Sequence, residues 1–207
     1  MSKGELTRQR IVEQAASIFN QRGYAGCSMQ DVMEATGLEK GGLYRHFSSK
    51  EELAAEAFRY ALKRAVKLRT TDVDASHGAI GLLRSYIARF VETPSDLPGG
   101  CPLLNTAIDS DDGNAVLRGL ALEGLRHWKA RLSSVVKEGI RSGEIRLEVE
   151  PRRVANTIIA TLEGALMISR LEGAKTALRD AQASLDTMLS EISSPELARN
   201  EASPRAS

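Results

Sequence analysis

The sequence predicts an all-α protein of about nine helices, and three observations carry that expectation. Apolar residues recur at three- and four-residue spacing through most of the chain. Aromatic residues make up only 4%, and runs alternating β-branched with polar residues are nearly absent, so nothing signals a sheet. Ser, Gly and Pro fall between the apolar stretches where helices start and stop.

Taken in order, residues 1 to 5 are expected to be mobile, and Thr7 caps a first helix running to about Arg22. Ile11, Ala15, Ile18 and Phe19 give that helix one apolar face, and Gly23 stops it. Ser28 followed by Asp31, and Ser49 followed by Glu52, both fit the capping box, so two more helix starts are marked. Between them Val32 and Met33 are apolar, Gly37 supplies the positive φ that ends a helix, and Leu38 returns to the core. A short helix from Glu39 to about His46 follows. Three short helices with this punctuation outline a helix-turn-helix, the DNA-binding unit of residues 1 to 48.

A fourth helix, Ser49 to about Leu68, keeps Leu53, Ala57 and Arg64 in register and is the expected connector to a second domain spanning residues 49 to 193. After the polar break at residues 70 to 77, Ile80, Leu83, Ile87, Phe90 and Val91 mark a fifth helix that ends before Pro94. A Pro- and Gly-rich loop leads to a sixth helix, from Cys101 to about Ile108, with Pro102 tolerated in its first turn. A long seventh helix covers Asn114 to Arg141, an eighth opens at Pro151 and ends at Gly173, and a ninth covers about Ala174 to Ile192. The eighth carries Ala155, Ile158, Ile159, Leu162, Ala165, Leu166, Met167, Ile168 and Leu171 all round its axis, so it requires cover on both sides. The ninth puts Leu178, Ala181, Leu185 and Leu189 on one face; two such helices from each of two subunits would make a four-helix interface. The polar residues 194 to 207 read as a disordered tail.

The formal net charge of +1 is uninformative as a total, but its distribution is not. Residues 1 to 70 hold 12 Lys and Arg against 8 Asp and Glu, a net of +4, and the remaining residues come to −3. The positive end is the end that carries the helix-turn-helix pattern. Two distant cysteines, no charged-then-apolar leader and no long uncharged apolar run point to a reduced, cytoplasmic setting without a membrane partner. An enzyme finds little support, because His46, His77 and His127 fall in unrelated segments without a metal-binding or nucleophile motif. Asp109, Asp111 and Asp112 lack the ligand spacing of a calcium loop and read as a solvated turn, so no metal or cofactor is expected. An all-helical protein–protein adaptor is the other rival class, and its charge would have no reason to gather at the N-terminus.

The spacing of Gly23, Tyr24, Cys27, Ser28 and Val32, then Thr36, Gly37, Leu38, Gly41, Leu43, Tyr44, His46, Phe47, Ser49, Lys50, Glu51 and Leu53 resembles the N-terminal pattern of the tetracycline-repressor (TetR) family. Cys27 stands where that family has Thr, Thr36 where Ala is usual, and Glu39 where Ser or Thr often begins the recognition helix. The resemblance implies a ligand-responsive DNA-binding regulator, more commonly a repressor. It also implies a homodimer joined through the last two helices, an inverted-repeat operator, and a small-molecule effector bound in the larger helical domain.

The resemblance places Ser28, Lys40, Gly41, Gly42, Tyr44, Arg45, His46 and Lys50 against the duplex. Each also has a local reading. Ser28 is either a phosphate site at a helix start or a cap alone. Gly41 and Gly42 cost roughly 1 kcal/mol each in helix propensity, explained by close approach to DNA or by tight packing against the first helix. Lys40 and Arg45 can reach phosphates or a guanine edge, and Tyr44 and His46 suit phosphate contacts. Lys50 opposes the helix dipole and calls for a compensating anion. An acid at Glu39 repels DNA unless it caps the helix or reads a cytosine amino group.

For the effector, the candidate lining residues are Tyr86, Phe90, Cys101, Leu104, Asn105, Trp128, Glu163 and Met167, each of which is otherwise core or surface. The segment Gly100, Cys101, Pro102, Leu103, Leu104, Asn105 resembles a stretch found in family members that sense electrophiles through the cysteine. Cys101 is accordingly either a thiol-based redox or electrophile sensor, its thiolate favoured by the helix dipole, or an inert buried cysteine.

Overall fold

The computed structural model describes residues 2–71, 73 and 77–194. Among them are nine helices: α1 (Lys3–Arg22), α2 (Met29–Thr36), α3 (Lys40–Tyr44), α4 (Lys50–Thr70), α5 (Gly78–Glu92), α6 (Pro102–Ser110), α7 (Ala115–Arg141), α8 (Pro151–Glu172) and α9 (Thr176–Ile192). The β pairing among the described residues amounts to one isolated antiparallel bridge, Ile145 to Ser193, so the fold is all-α.

Two helix starts differ from the sequence reading. Thr7 caps nothing: α1 begins at Lys3, where the Ser2 hydroxyl accepts from Glu5 N at 3.2 Å and the Glu5 carboxylate accepts from Ser2 N at 2.6 Å. Residues 2 to 5, expected to be mobile, are therefore the cap and first turn, because Ser-x-x-Glu satisfies two amides reciprocally. Thr7 lies inside the helix and its hydroxyl donates to Lys3 O at 3.0 Å. At α4 the box is split. Ser49 Oγ accepts from Glu52 N at 3.1 Å, but the Glu52 carboxylate accepts from Ser48, from its amide at 2.8 Å and its hydroxyl at 2.6 Å.

The chain divides into two compact units, one of Met1–Leu68 with Ser95–Leu125 and one of Arg69–Pro94 with Arg126–Ser207. This cuts the chain differently from a boundary at residue 48, because α4 shares a core with α1 to α3 and α6 packs on α1. The core of the first unit joins Ile11 and Ala15 of α1, Val32 of α2, Leu43, Phe47, and Leu53, Ala57 and Ala61 of α4. A polar clasp ties α1 to α6 and the loop before it. The Asn105 amide donates to Asn20 O and Asn20 Oδ1, both at 3.0 Å, and to Gly99 O at 2.8 Å. The Asn20 amide in turn donates to Pro98 O at 2.8 Å and Gly100 O at 3.2 Å. Gly99 has φ +105°, and a Cβ there would fall inside the van der Waals shell of the Asn20 carbonyl. One helical turn on, the Asp109 carboxylate accepts from Tyr24 N at 2.5 Å.

The second unit packs α5 against α8 and α9 around Leu83, Ile87, Ile158, Leu162, Leu185 and Leu189. His77, the N-cap of α5, makes no side-chain capping bond. The Glu144 carboxylate caps the helix instead, accepting from Ala79 N at 2.6 Å and Ile80 N at 2.8 Å. Helix α8 is long and apolar enough to cross a membrane by length and composition alone. In the fold its apolar residues divide in two: Val154, Ala155, Ile158, Ile159, Leu162 and Ala165 are buried, while Met167, Ile168 and Leu171 are 51%, 42% and 82% exposed. Ser194 N donates to Glu144 O, so the segment taken as a tail is anchored at its first residue. Residues 195 to 207, the rest of that segment, lie outside the described residues, as do most of residues 72 to 76 in the polar break.

Candidate nucleic-acid interface

The helix-turn-helix is built from local signals. Ser28 N-caps α2, its hydroxyl accepting from Asp31 N at 3.1 Å while its amide donates to Asp31 Oδ2 at 2.7 Å. The hydroxyl proton also points at that carboxylate, and Arg22 Nη1 approaches Asp31 Oδ1 at 2.6 Å. The Ser28 hydrogen bonds, with Arg22 beside them, hold the Asp31 carboxyl below its usual range. Ser28 therefore already caps with an anion from its own helix. Gly37, at φ 65°, ends α2 in the left-handed conformation that a side chain would strain.

Helix α3 spans five residues, shorter than the expected Glu39 to His46. Leu43 is 0% and Phe47 1% exposed, and these two pin the helix to α1 and α4. The opposite face carries Lys40, Gly41, Tyr44 and Arg45, all exposed, with Lys40 Nζ 6.0 Å from the Tyr44 ring centre. A Cβ built on Gly41 meets no atom within 4 Å, and one on Gly42 meets only Leu38 at ordinary contact distance. Packing against α1 is therefore not what demands the glycine pair. Glu39 occupies the N-cap position, and its side chain makes no capping hydrogen bond. His46 is half-buried, its amide bonded to Leu43 O at 3.0 Å. Lys50, the first residue of α4, lies with Nζ 4.1 Å from the Tyr24 ring centre, so an aromatic face meets the cation inside the chain.

One buttress of this surface escaped the sequence reading. Arg8 of α1 donates from Nη2 to Glu56 Oε1 at 2.7 Å and to Glu52 Oε1 at 3.3 Å, with a second bond from Nη1 to Glu56. Its guanidinium also sits 4.3 Å above the Phe47 ring. The Ser48 hydroxyl and amide, with Arg8 adding its charge, hold the Glu52 carboxyl below its usual range. The partners are 44 and 48 residues apart, and no local pattern announces such a pairing.

The effector candidates fall into both units. Cys101, Leu104 and Asn105 belong to the first; Tyr86, Phe90, Trp128, Glu163 and Met167 belong to the second. Cys101 is the N-cap of α6 and 3% exposed, out of reach of a dissolved thiol reagent in this conformation. Leu104 is half-buried, and the Asn105 amide is committed to the α1 clasp. Within the second unit Phe90 and Trp128 stack at 5.8 Å with 17° between their planes, and the Arg69 guanidinium covers Phe90 at 4.0 Å. Glu163 is buried at 8% exposure, Tyr86 is half-buried, and Met167 lies on the exposed strip of α8. The first unit holds a cavity of about 30 Å³ between α1, α4 and α6, room for a water or two and too small for an organic effector. Among the described residues no group of three His, Cys, Asp or Glu is placed to hold a metal ion.

Comparison with known proteins agrees with this geometry. Residues 11–57 match the family described as bacterial regulatory proteins, tetR family, and residues 79–185 match the tetracyclin repressor-like C-terminal domain. The HTH-type transcriptional repressor DhaR of Mycobacterium sp. (strain GP1) is 31% identical over 169 residues, covering 80% of this chain and 83% of that protein. A crystal structure of a TetR transcriptional regulator from Chloroflexus aurantiacus J-10-FL superposes with a TM-score of 0.88 at 43% identity, covering 93% of this chain and 98% of the other. A TetR-family regulator from Cytophaga hutchinsonii gives 0.86 at 35% identity, over 93% and 98%.

Proposed function

The chain belongs to the TetR family of transcription regulators, and from that premise we propose that it is a cytoplasmic repressor that binds an inverted-repeat operator as a homodimer and is released by a small-molecule effector. The observation that carries the operator reading is the bare face of α3. Two adjacent glycines cost roughly 1 kcal/mol each in helix propensity, and among the described residues no close contact requires them. A duplex backbone brought close to α3 accounts for that cost, with Lys40, Tyr44, Arg45 and Lys50 supplying phosphate and base contacts and His46 at the margin. Ser28 contributes through its cap, orienting α2 beside the groove.

A single α3 reads a half-site. Two, in successive major grooves about 34 to 36 Å apart, give the affinity an operator needs. The exposed Met167, Ile168 and Leu171 of α8 support pairing through α8 and α9, since a helix apolar beyond its core stripe gains by covering the remainder. For the effector, the half-buried and buried Tyr86, Phe90, Trp128 and Glu163 of the second unit are the proposed lining. An effector releases DNA only if it prefers the spacing of the two heads that does not fit the operator.

The test is selection of bound sequences from random DNA at about 0.15 M salt, followed by gel shifts with Tyr44→Ala and Lys50→Ala. A palindrome should emerge, and each folded variant should bind it about tenfold or more weakly. Recovery of no palindrome, or wild-type affinity in both variants, refutes the assignment.

A further inference from the structure

We infer that Glu39 is a specificity-determining residue that selects cytosine at one position of each operator half-site. The inference rests on the operator-binding reading above and adds to it a base and the residue that reads it. Glu39 stands at the start of α3, the end of a recognition helix that meets base edges in the major groove. Facing a polyanion, a carboxylate at that position is repelled unless it caps the helix or meets a donor on the DNA. The first is excluded, because the Glu39 side chain makes no capping hydrogen bond; among the described residues it is the Glu39 carbonyl that is engaged, accepting from Gly42 N at 2.9 Å and Leu43 N at 3.1 Å. Among the described residues no ion pair uses it either: Arg8 is committed to Glu52 and Glu56, and Arg22 to Asp31.

The chemistry of the groove then picks the base. Guanine offers only acceptors in the major groove, thymine an acceptor and a methyl group, and a carboxylate finds no partner on either. Adenine offers the N6 amino group beside the N7 acceptor, whose lone pair opposes a negative charge. Cytosine alone presents its N4 amino group without an adjoining acceptor on the same base. The open surface at Gly41 and Gly42 lets α3 approach closely enough for a side chain of glutamate length to reach that amino group. Lys40 and Arg45 on the same exposed face keep the local charge favourable to the polyanion.

The experiment uses full-length protein and random-sequence DNA, with wild type, Glu39→Gln and Glu39→Ala selected in parallel. Wild type should fix C at one symmetric position in both half-sites. Glu39→Gln should move that position alone to A, since an amide is bidentate to adenine N6 and N7, and Glu39→Ala should leave it degenerate. Wild-type protein titrated on its own operator with that C·G pair changed to T·A should bind on the order of 10- to 100-fold more weakly, a measurement that needs no variant to fold. Three identical sequence preferences, with both variants binding every sequence more tightly, would show Glu39 to be a repulsive charge and overturn the assignment while leaving the operator reading intact. If wild type enriches no palindrome, both readings fall.

Discussion

Replacing Asn105 with Ala removes the hub of the α1 clasp. Its two amide protons are shared among three acceptors within 3.0 Å: Asn20 O, Asn20 Oδ1 and Gly99 O. Asn20 is 8% exposed, so water cannot easily replace the lost donor there. Two net hydrogen bonds contribute roughly 0.5 to 1.5 kcal/mol each, and stranding partly buried acceptors adds about 1 kcal/mol or more, so the variant should lose about 2 to 4 kcal/mol. For a chain of 207 residues that corresponds to a fall in Tm of roughly 5 to 15 °C. Thermal unfolding by circular dichroism measures it, and hydrogen exchange locates it: the amides of Gly99, Gly100 and the last turn of α1 should lose protection. A Tm within about 2 °C of wild type, with protection unchanged, would refute the claim that this cluster joins α6 to α1.

Two further outcomes are expected. Asp31 and Glu52 ionise below the usual carboxylate range in the folded state, so each contributes stability that is present above the unfolded-state value near pH 4 and is lost as pH falls through the folded value. Asp31→Asn and Glu52→Gln should therefore melt earlier at pH 7 and show a flatter decline below about pH 4; acid limbs parallel to wild type would contradict the capping networks. Leu171→Glu places a charge on a side chain 82% exposed in the single subunit, so the folded subunit should survive. Sedimentation should then shift from twice the 22.5 kDa chain mass toward the monomer, and an undiminished dimer would remove this face from the interface.

The sequence alone determined whatever is encoded within one or two helical turns. Helix count and order, the Ser28 box, the Gly37 stop and the buried face of α1 at Ile11 and Ala15 are readable because capping, left-handed turns and apolar periodicity act between residues three or four apart. The Ser2 box was equally local, and its Ser-x-x-Glu signal stood in plain view at the N-terminus. The family pattern supplied the expectation that α3 faces DNA, and the structure adds that the Glu39 side chain makes no capping hydrogen bond. Only the tertiary structure decided which polar residues hold distant segments together. Arg8 with Glu52 and Glu56, Asn20 with Asn105, Asp109 with the Tyr24 amide, and Glu144 at the start of α5 join positions 44 to 85 residues apart. A side chain's hydrogen-bond partner depends on where the backbone brings an unmet donor or acceptor, and at such separations sequence spacing carries no record of that. Asn105 shows the consequence: from sequence it could line an effector site or be core or surface, and the fold commits its amide to fastening α6 to α1.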